Sequence, residues 1–303
     1  MVRVLYAVLM LSLMWLPPSV DAQSRACAPA PLTFPSEEPL DLAPYACVFV
    51  DEDRLFSLDE LLFSDTDTRF QPVTGGLIDF GFGTARFWVQ VELQNTTDAP
   101  GTWWVTHDIP VADQLRIRLV PETGPVRTLQ EITASDPFGA RAIPYRLLVS
   151  PVTLESGETA RLLIDYVTEQ ATEMPLFAET VPAFFKRSQN ETVQIVALTA
   201  LILGMGIIST MYLYGLEGKR ALVYGAYVVS SGVFLFHMEG FAFQYLWPLA
   251  PGFNQIALAV SAPVSIVLGL LFVSLFTKSH KHYPWLYRAT LAISAVLLCL
   301  TVG

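Results

Sequence analysis

Three long apolar stretches, Thr192–Tyr214, Ala221–Phe243 and Ile256–Thr277, constrain this chain more than any other feature. Each is 22 or 23 residues long, and at about 1.5 Å per residue each crosses about 30 Å of hydrocarbon as a helix. Lipid offers the backbone no hydrogen-bond partner, so spanning segments of this kind must satisfy their own amides and carbonyls. A fourth run begins near Ala289 and reaches the last residue as LAISAVLLCLTVG, short of a crossing and without a closing anchor. The expectation is therefore a membrane bundle over residues 188–303 with three full helices and part of a fourth (289–303), the chain ending inside that fourth helix.

Charge divides the chain at the same place. Residues 1–190 hold 13 of the 18 Lys and Arg and 25 of the 28 Asp and Glu, an acidic, charge-bearing part joined to a nearly uncharged one. Nucleic acid is excluded as a partner of the acidic part, because phosphate binding requires clustered basic residues. The first residues, MVR followed by VLYAVLMLSLMWL and PPSVDA, have the charged, apolar and small-residue order of a secretory signal, with cleavage expected after Ala22. Residues 23–49, rich in proline, read as an extended lead-in.

Residues 50–187 have the pattern of an antiparallel β-sandwich. In ARFWVQVELQ, Phe87, Val89, Val91 and Leu93 alternate with more polar positions, the period of two of a strand with one face in a core. Segments of the same kind follow at GTWWVTHDI, QLRIRLV, PYRLLVSPVTL and TARLLIDYVTE, bounded by Gly, Pro and Ser-Gly turns. Before them, SLDELL predicts a short helix capped by Ser57. Loop charge orients the bundle: Lys219, Arg220, Lys278, Lys281 and Arg288 flank two of its links, and QYLWPLAPGFN is uncharged. The positive-inside rule places the charged links in the cytoplasm and residues 23–190 outside, in agreement with the signal. Lys186 and Arg187, just outside the first helix, run against the rule.

No catalytic, metal or cofactor-binding signature is present, so the chain is expected to have no enzymatic activity of its own and to hold no cofactor. His280 and His282 fit a basic cytoplasmic loop better than a metal site. If the strands pair in sequence, alternation places Trp88, Gln90, Trp104, Arg116 and Arg118 on one outer face, where indoles stack on sugars and guanidinium groups grip carboxylates. Arg141 and Tyr145 belong either to that site or to a loop. The competing reading is that a sheet or loop covers the face and the indoles are ordinary packing. Near the outer end of the second helix, His237 and Glu239 are candidates for relaying a signal or for an interfacial position beside Tyr245 and Trp247. Ala257, Ser261, Ser265 and Gly269 form a small-residue stripe suited to close helix packing. Cys27 and Cys47 lie in the exported part, where they either form a disulfide or remain two free thiols.

The segments MYLYGLEGKRALVYGAYVVSSGVFLFHMEGFAFQYLWPLAP, GLIDFGFGTARFWVQVELQN and DPFGARAIPYR resemble the bacterial seven-transmembrane receptors with diverse intracellular signalling modules, 7TMR-DISM, over roughly residues 50–303. The resemblance implies a jelly-roll extracellular domain of that family's second type, likened to carbohydrate-binding modules. It also implies a bacterial inner-membrane location with the N-terminal domain periplasmic, and a cytoplasmic output domain, commonly a diguanylate cyclase or a histidine kinase, expected beyond Gly303. Gln90 stands where the family strand often carries a basic residue. Two functions compete: a receptor for a carbohydrate or small anionic ligand, and a membrane-anchored assembly module that recognises a protein. A transporter is disfavoured, since no paired broken helices appear. The partners expected are the lipid bilayer, an unidentified small-molecule or carbohydrate ligand, and a second copy of the chain in a homodimer. The orientation is testable by labelling intact cells with a membrane-impermeant thiol reagent. A cysteine at Ala250 should react and one at Gly218 should not; the reverse pattern would overturn it.

Overall fold

The computed structural model describes residues 27–33, 38–63, 69–73, 76–110, 112–168 and 171–300; the signal segment expected at 1–22 lies outside them. The strands are β1 (Ala30–Leu32), β2 (Leu40–Asp41), β3 (Ala46–Asp51), β4 (Gln71–Pro72), β5 (Asp79–Phe82), β6 (Arg86–Asn95), β7 (Gly101–His107), β8 (Gln114–Pro121), β9 (Arg127–Thr133), β10 (Leu148–Leu154), β11 (Thr159–Val167), β12 (Ala171–Glu173) and β13 (Leu176–Thr180). A short helix α1 (Leu58–Phe63) follows β3, and the helices after β13 are α2 (Val181–Glu217), α3 (Lys219–Met238), α4 (Phe241–Tyr245), α5 (Pro251–Phe276), α6 (Ser279–His282) and α7 (Pro284–Leu300).

The strands make a seven-stranded sheet in the order β4-β3-β6-β11-β8-β9, with β1 added parallel to the end of β6, a four-stranded sheet in the order β10-β7-β13-β2, and a two-stranded sheet of β5 and β12. Between the sheets lies one core. Phe87, Val89, Val91 and Leu93 of β6 and Leu115, Ile117 and Leu119 of β8 face Trp103, Val105, Leu148, Val152 and Leu176 across it. The period of two therefore reports burial correctly, but the pairing it suggested does not hold. After the turn at 96–100 the chain crosses to the other sheet, so β6 pairs with β3 and β11, and β7 with β10 and β13. Alternation marks which side of a strand is buried and is silent about which sheet the strand joins.

Within the segment 23–49, read from the sequence as a lead-in, the described residues 27–33 and 38–49 are part of the sandwich instead. β1 pairs with β6, β2 with β13, and Cys27 forms a disulfide with Cys47 of β3, the Cα atoms 5.4 Å apart. Pro31 lies within β1, and the two residues of β2 fall between Pro39 and Pro44, so no period was visible. Ser57 and Glu60 cap α1 reciprocally, each side chain reaching the other residue's amide.

The first membrane helix is longer than its apolar stretch. Thr180 Oγ1 accepts from the Ala183 amide at 3.4 Å, Pro182 sits in the first turn, and α2 then runs for 37 residues to a break at Gly218. Its first eleven residues, outside the hydrophobic stretch, are helical and lie against the sandwich. The second stretch ends sooner than expected: α3 stops at Met238, and Gly240 at φ +79° starts the separate helix α4. Pro251 sits in the first turn of α5, five residues ahead of the expected start, and Pro263 lies within that helix without ending it. Glycines set the helix spacing. A Cβ at Gly232 would come within 2.6 Å of Leu203, and one at Gly269, in the small-residue stripe, within 3.1 Å of Tyr227.

His107, at the end of β7, is fully enclosed with its ring centroid 5.4 Å from that of Tyr166. Burial pushes its imidazole down to about 4, against about 6.5 in an unfolded chain. Between those values the unfolded state binds the extra proton, so stability falls as pH is lowered, by up to about 1.4 kcal/mol per pH unit. The melting temperature of the purified chain should decline from pH 7 to pH 4.5, with a shallower decline for His107→Leu. Equal slopes for the two proteins would show that the imidazole is not the source.

Candidate functional site

The expected outer face does not assemble. Trp88 is 1% exposed and lies under Leu61 and Phe70, which close over it with Leu163 and Cys47. Trp104 belongs to the other sheet. Arg116 and Arg118 share an outer face with Trp88, but their guanidinium groups are taken up within the protein. Arg116 Nε donates to Glu131 at 2.9 Å and Arg116 Nη1 to Asp165 at 3.4 Å, while Arg118 meets Glu131 at 3.7 Å. Asp165 also forms an ion pair with Arg86 at 3.3 Å, and burial raises its carboxyl above the ordinary range despite these arginines. Gln90 is separate from this set and lines a groove beside the disulfide.

The other candidates meet where the sandwich touches the membrane helices. Phe184 of α2 is buried between Trp104, at 4.8 Å, and Tyr145, at 4.9 Å, both nearly edge-on, and Phe185 lies 5.5 Å from Trp104. Arg141 organises the loop ahead of β10. It is 8% exposed, donates to the carbonyls of Tyr145, Arg146 and Pro110 at 2.7–2.8 Å, and is pushed down to about 10 by burial. Its guanidinium lies over Phe138 at 4.6 Å and over Phe243 of α4 at 5.5 Å. The sandwich loop and the α3–α5 connection are also joined by backbone, the Phe138 amide donating to the Pro248 carbonyl at 2.9 Å.

A chain of alternating charges crosses this junction. Arg187 of α2 binds Glu179 of β13 and donates to Glu191 at 2.7 Å. Glu191 accepts from Arg146 Nη2 at 2.8 Å, and Arg146 Nη1 reaches Glu239, after α3, at 3.4 Å. Five side chains thus link a strand, the long helix, the sandwich loop and the α3–α5 connection. Glu179 and Arg146 are buried members, and an ion removed from such a pair leaves its partner uncompensated at a cost of about 3–5 kcal/mol. A cavity of about 380 Å³ opens beside the chain, lined by Asp108, Arg146, Glu191 and Glu239 among others. Gly240 permits the contact: a Cβ there would stand 2.7 Å from the Arg146 carbonyl oxygen and 2.8 Å from Pro110 Cβ. His237, one turn earlier, is buried with its ring 5.8 Å from Trp247.

Sequence reading singled out Arg141, Tyr145, Trp104, His237 and Glu239 without seeing that they adjoin. It missed Arg146, Glu179, Arg187, Glu191 and Gly240. A signal was available for two of these, since Arg146 ends DPFGARAIPYR and Gly240 begins GFAFQYLWP. Those two motifs are the surfaces that meet.

Two family models match along the chain: the 7TMR-DISM extracellular 2 domain over residues 43–180 and the 7TM diverse intracellular signalling domain over residues 191–303. No curated protein matches it. The first match ends at Thr180, the cap of α2, and the second begins at Glu191, the centre of the ion-pair chain. A sheet-rich extracellular domain built into apolar helices through this junction places the chain in the 7TMR-DISM family of membrane receptors.

Proposed function

We propose that this receptor sits in a bacterial inner membrane with its sandwich in the periplasm. In this reading the sandwich senses a small ligand, and the junction passes the resulting displacement to the helices and on to a cytoplasmic output module such as a diguanylate cyclase or a histidine kinase. The observation that carries the reading is the continuity at Thr180: β13 becomes α2 with no linker, and the Arg146 chain ties the same helix to the α3–α5 connection. A tether of flexible residues would let the sandwich swing without effect. Here a shift of β13 relative to the loop at 136–147 must change either the helix or its ion pairs. A ligand biases such a system only by its differential affinity for two arrangements, and discrete ion pairs provide distinct arrangements to choose between. The catalysis belongs to the output module; the residues described here bind, hold and relay.

Gly240→Ala tests this without touching the sandwich interior. The added methyl forces the Arg146 carbonyl and Pro110 away, so amide exchange at Phe138 should accelerate on the order of tenfold while the sandwich core stays protected. In the full-length receptor in membranes, both Gly240→Ala and Arg146→Gln should shift basal output at least threefold at unchanged protein level. Accelerated exchange with unchanged output would reject the relay and leave the assembly-module reading in its place.

A further inference from the structure

The outer face of the seven-stranded sheet has two halves. Over one, Leu61 and Phe70 close upon Trp88 and Leu163. Beyond Phe70 the face opens into a groove of about 550 Å³, walled by the Cys27–Cys47 disulfide and lined by Gln90, Glu92 and Arg161. That volume lies within the range of about 300–1,000 Å³ typical of small-molecule sites.

The sheet register puts Arg161 of β11 directly opposite Glu92 of β6, with Gln90 two residues along. Opposite charges so placed ordinarily pair, and the other arginines of this sheet do: Arg86, Arg116, Arg118 and Arg127 each meet a carboxylate. Arg161 and Glu92 do not join each other, and neither they nor Gln90 make a side-chain hydrogen bond or ion pair among the described residues. Arg161, Glu92 and Gln90 thus stand side by side and uncommitted in the groove, whose lining also includes a second carboxylate, Glu122.

We propose that this groove is the ligand site of the sensor and that it takes a small zwitterion, a free amino acid or a dipeptide. The ligand carboxylate lies on the Arg161 guanidinium, the ammonium on Glu92, and the Gln90 amide bonds between them. This inference rests on the sensor reading and narrows it. A sugar would need an open aromatic platform, and the aromatic rings here, Trp88 at 1% exposure and Phe70 at 9%, are closed. A simple anion would leave Glu92 facing like charge.

Calorimetric titration of the purified full chain in lipid nanodiscs tests it, with L-alanine, L-glutamine and L-alanyl-L-alanine as probes. Their N-acetyl and C-terminal amide derivatives and glucose serve as comparisons. At least one zwitterion should bind, and blocking either of its ends should weaken it tenfold or more. Arg161→Gln and Glu92→Gln should each weaken it similarly with an unchanged melting temperature, and Arg118→Gln should leave binding intact. Absence of binding by every zwitterion, equal affinity for the blocked forms, preference for glucose, or binding that survives Arg161→Gln would each overturn the proposal. Such a failure leaves the junction reading standing, because that reading is judged by Gly240→Ala and basal output and not by affinity.

Discussion

The architecture depends on a helix that is not allowed to break. Within lipid, α2 must satisfy every backbone group internally, and Thr180 extends that requirement outward by capping the helix at the last residue of β13. The sandwich is consequently fixed to the membrane by regular structure. The positions of Phe184, Arg187 and Glu191 follow, since each lies on the helix extension and each meets the sandwich or its loop. A coil at 181–191 would have left the same side chains free to solvate separately.

Rigidity at one attachment would only define an axis. The second attachment, through the α3–α5 connection, makes the junction a frame. It relies on two arginines with different tasks. Arg141 spends its donors on three carbonyls of its own loop region and stacks between Phe138 and Phe243, so it shapes the docking surface. Arg146 reaches outward to Glu191 and Glu239, so it couples two helices to that surface. Exposed ion pairs contribute little, on the order of 0–1 kcal/mol each. The chain of five gains its weight from Arg146 and Glu179, which are buried and cannot be released singly without leaving a charge unpaired.

The outer sheet face shows the opposite use of charge. Asp165 and Glu131 absorb Arg86, Arg116 and Arg118, and those residues stiffen the sheet. Arg161 and Glu92, one β11–β6 pair along the same sheet, stay apart beside the disulfide. Sequence placed all of these arginines in strands but had no means to separate the committed ones from the free one, because that depends on which strand lies next to which.

The sequence by itself determined the division into a sheet domain and a membrane bundle, since both signals are local: apolar stretches long enough for lipid, and a strict period of two with polar turns. It also determined the sides of β6 and β8 that face the core. What it left open were matters of adjacency. The sheet order put Trp104 and Trp88 in different sheets, Leu61 and Phe70 buried Trp88, and residues 27–33 and 38–49 entered the sandwich partly through short strands at prolines. The polar start of α2 carries no hydrophobic signal, and its helical state is decided by the cap at Thr180 and by packing on Trp104 and Tyr145. Local pattern reports what a residue prefers to face, and only the closed tertiary structure decides which partner, among many chemically equivalent ones, stands there.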